Sequence, residues 1–332
     1  MNVEKTKLKL LLRDAIGGFS KIQVSGRDLF IRHLDLITSS ESDEIGYRYY
    51  NKAIEQGLNS EKERLDYLLE NKEWTAKDDE DIRDAKIYLS GLRATKSKLM
   101  LPSQVKDIKV TIDEAEEKLA KLEARKANII GLTAEIFAQK RTNESLIFGS
   151  TFKDKTLSTP FFGESEFDEL EQDELAVIVE AYNTYFYSFS PNNLKKVAIT
   201  PAFMNQFFLC DDNPMTFYGK PACLLTFIQA ELFGYGRLFK GILSDNKRQP
   251  PEDLLQDPEA LIEWAETGRN VQKVIDEAPE GGSLGIVGAT KDDMKSIMAE
   301  TGAKTINLHE EMKRLGKTSL TMEDLIKLEL GT

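Results

Sequence analysis

The stretch FLCDDNPMTFYGKPAC, residues 208 to 223, gathers the side chains of this sequence best suited to chemistry. It contains the chain's two cysteines, Cys210 and Cys223, together with two adjacent aspartates. Thiolates and carboxylates can ligate a metal or act as nucleophiles, but a zinc site needs further cysteine or histidine ligands nearby. The two histidines of the chain, His33 and His309, lie near its opposite ends. We therefore interpret the stretch as a corner of a core that both thiols face, with Cys210 ending one helix, Cys223 beginning another and the aspartates capping the turn.

Other catalytic patterns are incomplete. EGGSLGIVGAT, residues 280 to 290, has GxxGxxG spacing in place of GxGxxG, so we interpret it as a flexible linker. LGKTS, residues 315 to 319, is similar to the end of a phosphate-binding loop, but Glu311 stands where the first glycine belongs. Pairs of aspartates beginning at 78, 211 and 292 fall at helix starts or turns, where capping explains them. We expect no enzyme activity, no cofactor and no metal.

Composition and charge restrict the partners of the chain. With 332 residues, 41% of them hydrophobic, the chain can bury a core and is expected to divide into about two units. The excess of 56 acidic over 44 basic residues gives a formal charge of -12, which repels nucleic acid and anionic lipid.

The first residues, MNVEKTKLKLLLRDAIGG, lack a secretion signal. Charges interrupt the apolar run from Pro221 to Leu243, which we interpret as a buried helix. We expect a cytoplasmic protein that binds neither nucleic acid nor a membrane.

The hydrophobic pattern predicts a mainly α fold that begins with a small β hairpin. The hairpin is expected in KIQVSGRDLFIRHLDL, around a Ser25-Gly26 turn, within an N-terminal segment of residues 1–40 that is the least helical part. Helical periodicity follows in residues 41–148. Gly57 marks a helix end, and Ser60 with Glu63 forms a capping box at the next helix start.

Coiled-coil spacing predicts a long antiparallel helical hairpin within this region. Its two helices are expected at residues 78–100 and 112–143, joined by a connector that includes Pro102. The seam residues fall at alternating steps of three and four: Ile82, Ala85, Leu89, Leu92, Lys96 and Leu99 in the first helix, and Ile112, Ala115, Leu119, Leu122, Lys126, Ile129, Thr133 and Ile136 in the second. Because lysine and alanine occupy seam positions, the hairpin should need support from a partner or from the rest of the chain.

The remaining chain is predicted to form a compact helical core, residues 168–278, and a tail, residues 279–332. The core follows a polar loop and contains most of the aromatic residues. The tail, beyond the glycine-rich linker, has three amphipathic segments that are too short to be stable alone. Their apolar faces are the candidate partner-binding residues: Met294, Ile297, Met298, Leu308, Met312, Leu315, Met322, Leu325 and Ile326. These faces either bind a partner protein or cap the chain's own core.

The arrangement of residues 45–265 resembles a group of acidic, helical proteins encoded among the tail genes of large tailed bacteriophages. The stretches that carry the likeness are YYNKAIEQGLNSEKERLDYLLENKEWTAKDDEDI, LTAEIFAQKRTNESLIF and DPEALIEWAE. Some members of this group are tail assembly chaperones. The resemblance implies a non-enzymatic virion assembly protein, made in the host cytoplasm, that binds a helical client such as a tape-measure protein. It implies no catalytic residues.

Three other roles stay open at this point. The chain could be a structural component retained in the virion at the neck or baseplate, a helical adaptor unrelated to phage, or an enzyme whose site the sequence does not reveal. For the chaperone and for the structural component, the partners are other phage tail or virion proteins. Retention in purified virions separates a structural component from a chaperone.

Overall fold

A computed structural model describes residues 3–24, 26–163, 172–246, 248–276, 289–301, 308–317 and 319. It confirms a mainly α fold with a small antiparallel sheet near the N-terminus. The chain divides into two compact units. Unit 1 comprises Met1–Glu80 and Glu123–Leu261, and unit 2 comprises Asp81–Leu122 and Ile262–Thr332.

The described elements follow one another mostly through short connections. In chain order they are α1 (Val3–Gly17), β1 (Phe19–Val24), β2 (Arg27–Arg32), α2 (Leu36–Glu55), α3 (Glu61–Glu70), α4 (Ala76–Lys96), α5 (Pro102–Ile130), α6 (Ala134–Ser150), β3 (Thr151–Phe152), α7 (Gln172–Ser188), α8 (Pro191–Ala198), α9 (Pro201–Phe208), α10 (Pro214–Tyr218), a 3₁₀ turn (Ala222–Leu224), α11 (Phe227–Leu243), a second 3₁₀ turn (Glu252–Gln256), α12 (Pro258–Asp276), α13 (Lys291–Thr301) and α14 (Leu308–Arg314).

The predicted β hairpin is confirmed in unit 1. β1 pairs antiparallel with β2, with Phe19 opposite Arg32 and Val24 opposite Arg27, and β3 extends the sheet along β2. Gly26, at the turn, has a φ of +78°, a conformation that favours glycine. The buried side of the sheet packs on α6 and α7 through a cluster made up of Val24, Leu29, Ile31, Ile147, Phe162, Ile178 and Tyr182. The sheet therefore contributes one face of an apolar core.

Residues 1–40, predicted to be the least helical part, contain a helix before the hairpin that the hydrophobic pattern does not predict. Val3–Gly17 forms α1, because this segment is rich in Lys and Leu, which are strong helix formers. Leu11 and Ala15, one turn apart, are buried and anchor the helix in unit 1.

Predicted caps and stops are confirmed in several helices. Gly57 follows the end of α2 with a φ of +86°. The capping box of Ser60 and Glu63 opens α3, with both reciprocal hydrogen bonds formed. In the sequence, Thr200 followed by Pro201 predicts a further helix start, and Thr200 caps α9, whose first residue is Pro201. These boundaries depend on local chemistry, and sequence alone locates them.

An aromatic cluster fills unit 1 between α9, α10 and α11. Phe207 is fully buried, and its ring centroid lies 5.4 Å from that of Phe203 and 5.0 Å from that of Phe233. Gly236 in α11 makes this packing possible, since a Cβ added there would lie 2.6 Å from a ring carbon of Phe207. The predicted start of the buried helix at Pro221 is wrong. A 3₁₀ turn intervenes, and α11 begins at Phe227 after a capping box formed by Thr226 and Gln229.

The structure confirms an antiparallel hairpin, of which residues 81–122 belong to unit 2, and corrects its bounds. Leu89 of α4 packs with Ile112 and Ala115 of α5 in the predicted seam. Arg93 also forms an ion pair with Glu116 at 2.7 Å. However, the second helix begins at Pro102, since proline suits the first position of a helix.

The predicted helix 112–143 is in fact two helices. α5 ends at Ile130, Gly131 follows with a φ of +71°, and Thr133 caps α6 through the backbone N–H of Ile136. Residues 134–143 thus belong to α6, which packs against α2 in unit 1. Local stop and start signals override the seam period at this point.

Candidate protein-interaction site

The first tail segment forms α13, which is docked within unit 2. Ile297 is buried in a cluster with Leu101 and Val271. Met294 is half-buried, whereas Met298 on the same helix is exposed. Of the predicted partner-binding residues in α13, Ile297 therefore packs against its own unit.

Asp293 fixes the start of α13 to the start of α5. Its carboxylate accepts hydrogen bonds from the backbone N–H and hydroxyl of Thr290, and from the backbone N–H and hydroxyl of Ser103. One side chain thus satisfies free N–H groups at two helix starts. Burial raises the pKa of Asp293, but the hydrogen bonds from Ser103 and Thr290 outweigh it and hold that pKa below its ordinary value.

The second tail segment forms α14, and the third lies outside the described residues. Leu308 is the first residue of α14, Met312 is half-buried, and Leu315, just past the helix end, is exposed. Met322, Leu325 and Ile326 belong to the segment that is not described. Met298 and Leu315 are thus the two predicted partner-binding residues with exposed side chains among those whose exposure the structure describes.

The corner at residues 208 to 223 is stabilised by its own contacts. Cys210 is buried and donates a hydrogen bond to the carbonyl oxygen of Phe207 at 3.0 Å, which confirms its core position. Cys223 is exposed, so the prediction that both thiols face a core is wrong for this residue, which lies in the 3₁₀ turn. No described group of three or more His, Cys, Asp or Glu residues could hold a metal ion.

The adjacent aspartates of this corner form a strained turn. Asp211 and Asp212 have φ values of +50° and +54°, which L-residues rarely adopt. Two cations of α11 stabilise the turn, because Lys240 pairs with the Asp212 carboxylate at 3.1 Å and Arg237 donates to the Asp212 carbonyl at 3.1 Å. Leu209, just before the turn, is 83% exposed. The contacts with Lys240 and Arg237 therefore give the aspartates of this turn a structural explanation.

A buried polar cluster in unit 1 joins β1, β2 and α7. The Ser20 hydroxyl lies 3.1 Å from Nε2 of His33, and the Tyr185 hydroxyl hydrogen-bonds the same nitrogen. Burial lowers the pKa of His33 to about 3, and its Nδ1 has no hydrogen-bond partner among the described residues. Burial also raises the pKa of Tyr185 above its ordinary value. The imidazole is therefore neutral at pH 7.

This cluster combines a hydroxyl and an imidazole, as nucleophilic sites do, but it is closed to substrates. Ser20 is fully buried and His33 is 3% exposed. The alternation of inward-facing and outward-facing residues along a strand predicts that His33 is buried. The inward-facing residues of β2 are Leu29 and Ile31, and residue 33 is the next in this series. We interpret the cluster as structural.

The largest feature that sequence reasoning missed is an exposed apolar patch at two helix starts. Leu36 and Ile37 open α2, Phe227 opens α11, and Leu224 ends the 3₁₀ turn before α11. These four side chains are exposed by 59%, 58%, 49% and 48%, respectively. We call them the twin-cap patch.

A backbone pairing between the two cap residues builds this patch. Asp35 and Thr226 form an antiparallel bridge, and the Phe227 N–H donates to the Leu34 carbonyl at 2.9 Å. Because consecutive Cα atoms are about 3.8 Å apart, each patch residue lies within about 8 Å of a bridged Cα atom. The backbones of the four residues therefore lie close to one bridge of unit 1.

Capping hydrogen bonds hold both helix starts in place. The Asp35 carboxylate accepts the backbone N–H of Thr38 at 2.9 Å. Burial raises the pKa of Asp35, but the hydrogen bonds from Thr38 outweigh it and keep that pKa below its ordinary value. Thr226 and Gln229 form the capping box of α11, and the buried Gln229 amide also donates to the Ile16 carbonyl at 3.1 Å. The apolar residues of the patch are thus presented by a rigid base.

Comparison with known proteins assigns no family to this chain, since neither a family model, nor a curated protein, nor a solved structure matches it. Among the described helices, none has the length and apolar composition required to cross a bilayer.

Proposed function

We propose that this chain is a non-enzymatic assembly protein of a tailed bacteriophage that acts in tail assembly. In this proposal it is a chaperone in the host cytoplasm, binding a helical client such as a tape-measure protein. The phage context comes from the resemblance of residues 45–265 to tail-gene proteins, and the binding role is supported by the twin-cap patch.

The twin-cap patch supports a binding role because large apolar side chains are costly to leave in water. Each buried Å² of apolar surface contributes about 25 cal/mol, so covering these side chains would stabilise a complex by several kcal/mol before the costs of association. Scattered exposed apolar residues are ordinary on protein surfaces, whereas contiguous ones indicate interaction sites. Leu36, Ile37, Leu224 and Phe227 are not scattered, since each lies within two residues of one backbone bridge.

Affinity purification from infected cells tests this function. The full chain, tagged and expressed during infection, should retain the tape-measure protein before tail completion, and mass spectrometry should detect no tagged chain in purified virions. Stoichiometric retention in virions would instead identify a structural component of the neck or baseplate. Recovery of host proteins without any tail protein would contradict a role in phage assembly.

A further inference from the structure

We infer that the twin-cap patch binds an amphipathic helix whose apolar face is flanked by lysine or arginine residues. The apolar and basic chemistry of the partner follows from the patch and its surroundings. Its helical form rests on the proposed function, in which the client is a helical protein.

The size of the patch fits a short stretch of helix. Leu36 and Phe227 each occupy the first position of a helix, directly after the bridged caps Asp35 and Thr226. The bridged Cα atoms of Asp35 and Thr226 are about 5 Å apart, and a helix rises about 5.4 Å per turn, so apolar residues three or four apart on a partner helix can contact both helix starts. The partner therefore needs two or three apolar residues on one face.

Exposed acidic residues follow the patch along both helices. Glu41 follows Ile37 by one turn on α2, and Asp43 and Glu44 come next, all three exposed. Glu231 follows Phe227 by one turn on α11 and is also exposed.

These carboxylates have few cationic neighbours within the segments that carry the patch. Residues 34–46 and 220–236 contain five acids, namely Asp35, Glu41, Asp43, Glu44 and Glu231, and one base, Lys220, and the arginines Arg32, Arg48 and Arg237 flank these segments. Glu41, Asp43 and Glu44 form no ion pair with any described residue of the chain. A partner with basic flanks would supply the missing counter-charges.

The same charges argue against other occupants. A second copy would bring an identical acidic rim against this one, and like charges facing each other oppose association. Nucleic acid and anionic lipid would be repelled in the same way. A basic amphipathic helix is thus the occupant that satisfies both the apolar centre and the acidic rim.

Two synthetic helical peptides of equal length test the inference. Both contain the same stripe of leucines, and one has lysine flanks where the other has glutamate flanks. With the full chain, fluorescence anisotropy at low salt should show binding of the lysine-flanked peptide at least about tenfold tighter than that of the glutamate-flanked peptide. Added salt should reduce this preference, since screening weakens interactions between exposed charges.

Variants of the patch and its rim locate the site. Phe227→Ser and Ile37→Ser should each weaken binding of the lysine-flanked peptide by about tenfold, because each removes an apolar contact. Glu41→Lys combined with Glu44→Lys should reverse the peptide preference. Leu209→Ser is the matched control, since Leu209 is an exposed apolar residue of unit 1 outside the patch. It should leave binding unchanged.

Three outcomes would overturn the inference. Equal binding of both peptides would remove the role of the acidic rim, and an equal loss in Leu209→Ser would remove the role of the patch. A concentration-dependent dimer that Phe227→Ser abolishes would identify a second copy as the occupant. Because Phe227 and Ile37 are exposed, circular dichroism should show that both variants fold, so a loss of binding is attributable to the patch.

Failure of this inference is distinguishable from failure of the proposed function. If the tape-measure protein co-purifies equally well with the wild-type and Phe227→Ser chains, the site is wrong while the function stands. If the lysine-flanked peptide binds as expected but no tail protein co-purifies, the site stands and the phage function is wrong.

Discussion

Units 1 and 2 are stabilised by different kinds of contact. In unit 1, Phe207 lies in an aromatic cluster in which every ring touches several others. In unit 2, the seam between α4 and α5 has a small buried cluster that consists of Leu89, Ile112 and Ala115. Asp293 adds a polar anchor between two helix starts of unit 2. Unit 1 should therefore be sensitive to changes of volume, and unit 2 to the loss of single polar contacts.

The two tryptophans allow this comparison to be measured. Trp74, in unit 1, is 2% exposed, and Trp264 lies in unit 2. In a Trp264→Phe background, the fluorescence of Trp74 reports on unit 1. In a Trp74→Phe background, that of Trp264 reports on unit 2. The Nε1 atom of Trp74 has no described hydrogen-bond partner, so its replacement by phenylalanine removes no hydrogen bond among the described residues.

The largest expected effect is that of Phe207→Ala on unit 1. Removing this fully buried ring should lower the free energy of unfolding by about 3–5 kcal/mol, because the surrounding rings cannot collapse into the cavity. Urea denaturation followed by Trp74 fluorescence measures the loss. Phe208→Ala is the matched control, since the neighbouring Phe208 is exposed. If both variants lost the same free energy of unfolding, the aromatic cluster would not be the main source of stability in unit 1.

Acid should destabilise unit 1 through His33. The pKa of His33 is about 3 in the folded chain and about 6.5 when unfolded, so below pH 6.5 the unfolded state binds a proton that the folded state does not. Stability from this group is complete above pH 6.5 and falls by about 1.4 kcal/mol per pH unit down to about pH 3.

The test is the difference between wild type and His33→Gln in Trp74-monitored unfolding from pH 7 to pH 4.5. The wild type should lose more stability over this range than the variant, because carboxylates titrate in both. His309→Gln, in unit 2, is the control and should keep the wild-type dependence. A wild-type curve parallel to that of His33→Gln would show that His33 does not titrate in this way.

In unit 2, Asp293→Asn should have a smaller effect. An amide cannot accept all the hydrogen bonds that Thr290 and Ser103 donate to the carboxylate, so unfolding should become easier by about 1–3 kcal/mol. Trp264 fluorescence at pH 7 measures this change. Because the pKa of Asp293 is lowered in the folded state, its contribution is present above the unfolded value and is lost as the pH falls below it.

Asp292→Asn provides the control for this experiment. Asp292 is the neighbouring residue on α13, and its side chain is exposed. Its replacement should leave the Trp264 transition unchanged. If both variants behave like wild type, Asp293 is not an anchor, and α13 is held by Ile297 and its apolar neighbours alone.

Local signals of the sequence predict much of this fold. The caps at Ser60 and Thr200 and the stop at Gly57 each depend on residues within one turn, so they are readable without tertiary information. The seam at Leu89 and Ile112 is readable from its period. The error at 112–143 arose because that period continues past Gly131 and Thr133, where local chemistry ends one helix and starts another.

The candidate site could not be predicted from the sequence because it depends on distant pairing. Asp35 and Thr226 are far apart along the chain, and no local pattern shows that their helix starts are bridged. For the tail, the amphipathic pattern identified an apolar face on α13. It could not show that Ile297 would be buried within unit 2 while Met298 stays exposed. A helix face that packs on its own unit and one that binds a partner have the same hydrophobic period.

The smallest expected effect is that of replacing a helical glycine by alanine, and the same substitution can be compared in helices of the two units. Gly91 lies within α4, and a Cβ there would meet nothing within 4 Å. Gly91→Ala should stabilise unit 2 by about 0.5–1 kcal/mol, because glycine loses more backbone entropy on folding than alanine does. At Gly236 in unit 1 the sign should reverse, since the new Cβ would press on the Phe207 ring, and a loss of about 1–3 kcal/mol is expected. Gly234→Ala, in the same helix but with open space around its Cβ, should behave like Gly91→Ala. If Gly236→Ala were also stabilising, the Phe207 ring would have room to move, and the contrast between a tightly packed unit 1 and a sparsely packed seam in unit 2 would be wrong.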